Sequence, residues 1–508
     1  MKRHLIRLCL ALAVLLLLPA CGSGGGGGGT GGGSEELTIA AAEQFDGFDS
    51  TSLAGTNIQA AVMRQLYDTL VALDADRKPQ PRLAESWEQS PDHRTMTLHL
   101  RPGLKFSDGS PLTAQDVVWN VTHGQDEKTA ATARPLFMAI SKATAVDPAT
   151  VQLTFPKPLA APFDMLDYLF IAKPQDDPQK LKNSPVGSGP FKLEKWDAGT
   201  SATLTPNPSF WDAKSVKLKR VTFKFAGDLQ AAQLLFRSKQ ADFLFDSTWK
   251  DFASFAKQSG VQTLMAGDGG RVEMFLLNAA KPPFDNADAR RAFAAALDRG
   301  AITKTVYRGQ TEAWCLPWPE GSVGYEASPD LARSCSADPA RSRELLTKAG
   351  HADGLRFSIL TVAGIDAEVS QVAQQQLAKA GLNAKIDSVE DTVFFDRAFA
   401  GDWQVLTSTV QRVAHDSATS IQLGVPLQNG GVSNFKSDEY QRLIDSVLYE
   451  NPGSDRVADM RKLNEFLLDQ AFFVPVTSQN PHYVFAKDVK GLQVTLDGYL
   501  ILQNVSVG

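Results

Sequence analysis

The sequence predicts an α/β protein of two or three lobes, and three observations carry that expectation. About 470 residues follow an N-terminal glycine tract, more than one ordinary hydrophobic core accommodates. The first half is rich in alternating strand patterns with scattered helical stripes. In the second half a strand pattern (Leu355–Val362), a helical pattern (Asp366–Leu382) and another strand pattern (Asn383–Val389) follow one another. That order implies a parallel βαβ unit, because parallel strands need a crossover.

The N-terminus stands apart from the folded pattern. Lys2, Arg3 and Arg7 form a short basic region, and Leu8–Leu18 is almost wholly apolar. That run is shorter than the roughly 20 residues a membrane span needs, so residues 1–20 read as a signal peptide. Leu18-Pro19-Ala20-Cys21 resembles the bacterial lipobox, which makes Cys21 the expected lipid-bearing residue. Gly22–Ser34 is too rich in glycine to nucleate structure. As a coil it reaches roughly 20 Å. Residues 21–35 therefore read as a lipidated tether, holding an extracytoplasmic protein at the bacterial cell membrane.

The folded part begins with a helical stripe, Ile58, Val62, Leu66 and Leu70, with Thr56 or Asn57 as its cap. Met96, Leu98 and Leu100 alternate with polar residues, as a half-buried strand does. Thr113 and Asp116 have the spacing of a capping box. Val151, Leu153 and Phe155, then Val221, Phe223 and Phe225, alternate in the same way. Arg271–Asn278 reads as a strand, and Asp285 is placed to cap a helix over Ala287–Leu297. A late helix ending at Gln470, the strand Phe472–Thr477 and a strand-like final segment close the chain.

Charge and chemistry exclude several classes. The chain has 51 Lys+Arg against 57 Asp+Glu; without Lys2, Arg3 and Arg7 the balance is 48 against 57, a formal charge of −9. No long basic run offers a nucleic-acid surface. Seven dispersed histidines form no metal motif, Gly187-Ser188-Gly189 lacks the third glycine of a phosphate loop, and no G-x-S-x-G elbow occurs. No catalytic residue, metal ligand or cofactor is assigned, and an enzyme is the minor reading. Cys315 and Cys335 flank a Pro/Gly-rich stretch in an exported chain and are expected to pair. Closing a loop of about 20 residues contributes roughly 3 kcal/mol in the chain-entropy account.

Gln65–Val121 (QLYDTLVALDADRKPQPRLAESWEQSPDHRTMTLHLRPGLKFSDGSPLTAQDVVWNV) closely resembles the signature region of the peptide-type extracellular solute-binding proteins of ABC importers. Further echoes follow in order at Ser184–Trp196, Asn207–Asp212, Leu234–Phe243 and Leu277–Ile302. The resemblance implies a two-lobed periplasmic-binding-protein-like fold of class II type, with an extra subdomain in the first lobe. It assigns residues 36–270 to lobe I, 271–478 to lobe II and 479–508 to a return to lobe I. It also implies a monomer that binds a small solute, a peptide or a peptide-like compound, and passes it to permease subunits powered by ATPases. Other solutes remain open: a metal chelate, a tetrapyrrole, a glycan or an opine-like compound. So does a lipoprotein sensor or scaffold uncoupled from import.

Two stretches carry the expected ligand contacts. Phe48–Asn57 resembles the segment lining the family cleft, with Gly55 for close approach and Thr56 for a hydroxyl. Gly401–Ser417 resembles the opposite wall. Val410 falls where the family usually has a Trp, and Val413 where an Asp holds the peptide amine; Asp416-Ser417 replaces Asp-Pro. Gln411, Arg412 and His415 are the expected readers of an anionic or polar ligand. Asp416 completes the set, as the acid of the Asp-Pro pair rather than an amine anchor.

Overall fold

The computed structural model describes residues 35–508, apart from 44, 52–56, 130–133, 267–269, 319–321, 323–324, 326–330, 332–333, 414–415, 450–454 and 496. Two large sheets organise them. The seven-stranded sheet runs, edge to edge, through Val261–Met265, His482–Ala486, Phe243–Leu244, Glu36–Ala41, Arg220–Phe225, Ser201–Pro206 and Phe191–Asp197. At its centre Glu36–Ala41 pairs in parallel with both neighbours. The five-stranded sheet runs through Leu382–Val389, Leu355–Val362, Val405–Val413, Gly270–Leu277 and Phe473–Gln479. Leu355–Val362 and Leu382–Val389 pair in parallel around the helix Ile365–Lys379, so the βαβ unit is present.

Alternation explains which faces are buried. Met96, Leu98 and Leu100 point inward from Thr95–Leu100 while Thr97 and His99 lie partly exposed. This strand belongs to a four-stranded antiparallel sheet with Ala84–Gln89, Thr150–Thr154 and Lys142–Asp147, inserted between the first strand and Phe191–Asp197. The five-stranded sheet is covered on both faces. Val272, Met274 and Leu276 meet the cluster containing Tyr440, Ile444 and Leu463. Phe275, Leu277 and Ile359 meet the one containing Phe293, Ile302 and Val369.

Several local expectations shift by a few residues. The first helix, Asn57–Leu66, stops before Leu70, which is nonetheless fully buried in the core. The helix Ala287–Ala296 is capped by Asn286, not Asp285; the Asn286 carboxamide oxygen accepts from Asp288 N (2.8 Å) and Ala289 N (3.3 Å). Asp116 accepts from Thr113 N (2.7 Å), closing the start of Ala114–Gln125. The final segment forms only two-residue strands, Val489–Lys490, Gln493–Val494, Leu500–Ile501 and Ser506–Val507. The two glycines around Ser188 serve packing: a Cβ at Gly187 or Gly189 would collide with backbone at the end of the first helix.

The chain passes between the two large sheets at two neighbouring places. Val261–Met265 leads into Gly270–Leu277, and Phe473–Gln479 leads into His482–Ala486. The strands pair across this passage on both sides, Met265 with His482 and Arg271 with Gln479. Among the described residues no helix is long and apolar enough to cross a membrane.

Candidate functional site in the seam between the sheets

Parallel strands present their carboxyl ends on one side, and crevices outside those ends are the usual ligand sites of α/β sheets. In the first lobe, Glu43 follows Glu36–Ala41 and Asp246 follows the adjacent parallel strand Phe243–Leu244. In the second lobe, Asp366 follows Leu355–Val362 across Gly364, whose φ of 97° lets the chain turn directly into a helix. Gln411–Val413 end the strand Val405–Val413.

Aromatic rings join the two sides. Trp249, which opens the helix Trp249–Phe255, is buried among residues of the second lobe. Its ring centre lies 5.4 Å from that of Tyr307 and 4.3 Å from that of His482. Burial lowers the His482 pKa, against the contacts of its ring nitrogens with the Asn480 and Ser247 carbonyl oxygens (3.2 and 2.7 Å).

Beyond Tyr307 lies a buried acid pair. Glu273 Oε2 accepts from the Tyr307 hydroxyl (2.9 Å) and the Gln479 amide (2.7 Å). Burial, then the neighbouring Asp366, raises the Glu273 pKa well above the carboxylate range. Burial also pushes Asp366 up to about 7; the hydrogen bond with Glu273 opposes this. Were both ionised, no proton would lie between them and Glu273 Oε1 would have no donor. With Glu273 protonated, its O–H serves Asp366. On the first-lobe side, burial and then the charge of Glu43 raise the pKa of Asp246 well above its ordinary value.

The expected ligand residues are placed unevenly. Cys21, Gly55, Thr56 and His415 lie outside the described residues. Gln411 and Arg412 are in the strand facing Gly270–Leu277, where Gln411 pairs with Val272 and Arg412 with Arg271. Asp416 caps the helix Ser417–Leu423, accepting from Ala418 N (2.8 Å), and forms an ion pair with Arg456. The Cα atoms of Cys315 and Cys335 are 5.3 Å apart, within the reach of a disulfide. Sequence reasoning passed over Glu43, Asp246, Trp249, Glu273 and Asp366. The available signal was position: three of these acids fall just after an apolar strand run, and Glu273 interrupts one.

A second contact between the lobes lies on the inserted subdomain. Leu159 bridges Tyr449, Ala160 N donates to Leu448 O (3.1 Å), and Asp164 accepts from Asp416 N (3.2 Å). Lys157 sits over the Tyr449 ring (4.3 Å) and 3.6 Å from Asp445. A cavity of about 630 Å³ lies instead within the first lobe, between Arg64, Arg82 and the segment around Leu492–Gln503; no residue of 271–478 lines it. It is separate from the seam.

Residues 78–426 match the family described as bacterial extracellular solute-binding proteins, family 5. The glutathione-binding protein GsiB of Salmonella typhi is 29% identical over 367 residues, 70% of each chain. The binding protein AgaA of A. tumefaciens, solved with agropinic acid, superposes with a TM-score of 0.78 at 25% identity, covering 93% of this chain and 99% of that one. DppA of Helicobacter pylori, solved with the peptide STSA, gives a TM-score of 0.78 at 22% identity, covering 94% and 98%. These likenesses establish a two-lobed periplasmic-binding-protein fold. Proteins of this family are binding proteins of transport systems and catalyse no reaction.

Proposed function

Because this chain belongs to the bacterial extracellular solute-binding proteins, family 5, we propose that it captures a small peptide or peptide-like solute between its lobes and delivers it to an ABC permease. The observation that carries this reading is the seam. Two sheets turn strand ends bearing Glu43, Asp246, Asp366 and Arg412 toward a boundary bridged by Trp249 and Tyr307. A solute contacting both sides favours the closed arrangement by differential contact. GsiB and H. pylori DppA support a peptide as the solute; AgaA supports an opine-like compound as the second reading.

In this reading Gly55, Thr56, Gln411, Arg412 and His415 are the residues proposed to contact the solute. Gln411, Arg412 and His415 are the proposed readers of a polar or anionic group on the solute. Asp416 is a structural residue, because its carboxylate already serves a helix cap and Arg456. Cys21 carries the lipid anchor, and Cys315 is bridged to Cys335.

Native mass spectrometry of the purified mature protein, followed by calorimetry with dipeptides, tripeptides, reduced glutathione and agropinic acid, tests the proposal. Saturable one-to-one binding of a peptide supports it. Binding of agropinic acid alone moves the assignment to the second reading, and binding of none refutes both.

A further inference from the structure

The first lobe holds a carboxylate that the fold leaves without a partner. Asp246 sits between Phe245, fully buried, and Ser247, 6% exposed. Asp246 itself is only partly exposed, just past the carboxyl end of Phe243–Leu244. Its place beyond a parallel strand end, three residues before Trp249 at the seam, sets it beside the proposed solute cleft. Among the described residues no donor or cation lies within hydrogen-bond or ion-pair reach of it. The Ser247 hydroxyl is buried and also lacks a partner there.

Its surroundings sharpen the imbalance. The neighbouring charge at Asp246 is that of Glu43, of the same sign, just past the end of the adjacent parallel strand. Glu43 Oε2 lies 3.3 Å from Ile58 N at the start of the first helix. The buried Tyr483 ring is also near, but its hydroxyl donates to Gly498 O (2.6 Å) and not to the acid. Buried charges are ordinarily paired, because an uncompensated one loses its hydration without return.

We infer that Asp246, with Glu43 beside it, receives a positively charged group, a primary ammonium or a guanidinium, on the solute entering the cleft. This deepens the solute-binding reading and rests on it. The second lobe has Val413 where an amine-holding acid is expected. The acids at Asp246 and Glu43 supply the missing charge from the opposite wall. Burial, then the like charge of Glu43, raises the proton affinity of Asp246, and a cation on the solute would relieve the same imbalance.

The test is calorimetry of the mature protein with Ala-Ala, Ala-Ala-Ala, reduced glutathione and putrescine, each beside its N-acetylated form. At least one free amine should bind about tenfold or more tightly than its acetylated form. Asp246→Asn should erase that preference, and Glu43→Gln should reduce it. The empty Asp246→Asn protein should melt at the same temperature as wild type or higher at neutral pH, because an unpaired carboxylate has been removed; a structural acid would give a lower value. Acetylated forms binding as tightly as free ones, or an undiminished preference in Asp246→Asn, would overturn the inference while leaving the solute-binding reading intact. Failure of every probe, free and acetylated, would overturn both.

Discussion

Glu273 and Asp366 on the second-lobe side, and Glu43 and Asp246 on the first, are two acid pairs flanking one seam. Both raise the proton affinity of a member by burial and like charge. Their surroundings differ. Glu273 is fully buried and receives hydrogen bonds from Tyr307 and Gln479. Asp246 keeps an opening to solvent and receives none among the described residues. A buried acid that already receives two hydrogen bonds from the protein belongs to the framework. An acid that is enclosed but unoccupied is available to something that arrives. The comparison separates structural from ligand-facing acids where burial alone does not.

The largest expected effect is on the framework side. Glu273→Ala strands the fully buried Tyr307 hydroxyl and frees the half-buried Gln479 amide, and should cost about 3–5 kcal/mol. Urea unfolding measures it, and a cost below about 1 kcal/mol would erase the distinction between the pairs. Asp366 offers an intermediate test through pH. Its proton affinity is raised on folding, so its stabilisation is full below about pH 4 and is lost as pH rises through about 7. Asp366→Asn should flatten that part of a plot of urea midpoint against pH; an unchanged slope would place the titration elsewhere. The smallest effect belongs to the first lobe. Glu43→Gln combined with Asp246→Asn should leave the unfolding free energy of the empty protein within about 0.5 kcal/mol. A much larger loss would make this pair structural as well.

One further measurement concerns the cysteines. A Cys315–Cys335 bridge closes a separation of 20 residues, and its reduction should lower stability by about 3 kcal/mol. Peptide mapping that finds both thiols free in the exported protein would refute the bridge.

Much of the fold was legible because periodicity reports burial. Thr95–Leu100, Arg220–Phe225 and Leu355–Val362 alternate or run apolar as their surroundings require. The end of the first helix was less legible, because Leu70 is buried for a tertiary reason that continues the helical spacing past the helix. The C-terminal segment read as strand from its composition, but turns at Gly491 and Gly498 leave only short pairings. The site was harder still. Asp246, Glu273 and Asp366 lie far apart in sequence, and an acid after a strand has the same local pattern whether it faces solvent or a cleft. Asp416 shows the converse. Its chain position suggested a ligand contact, while the partner that occupies it, Arg456, is supplied by a distant helix.

The double passage between the sheets has a mechanical consequence. A single connecting strand would let one lobe swivel about the other through its free backbone torsions. Here two passages lie side by side, held by strand pairing at Met265–His482 on one side and Arg271–Gln479 on the other. Paired straps resist swivelling and leave bending as the soft motion, much as two pins fix the axis of a door. Opening and closing then follow nearly one path. If the lobes close on a solute as proposed, the strand end carrying Asp246 meets the same stretch of the opposite wall each time.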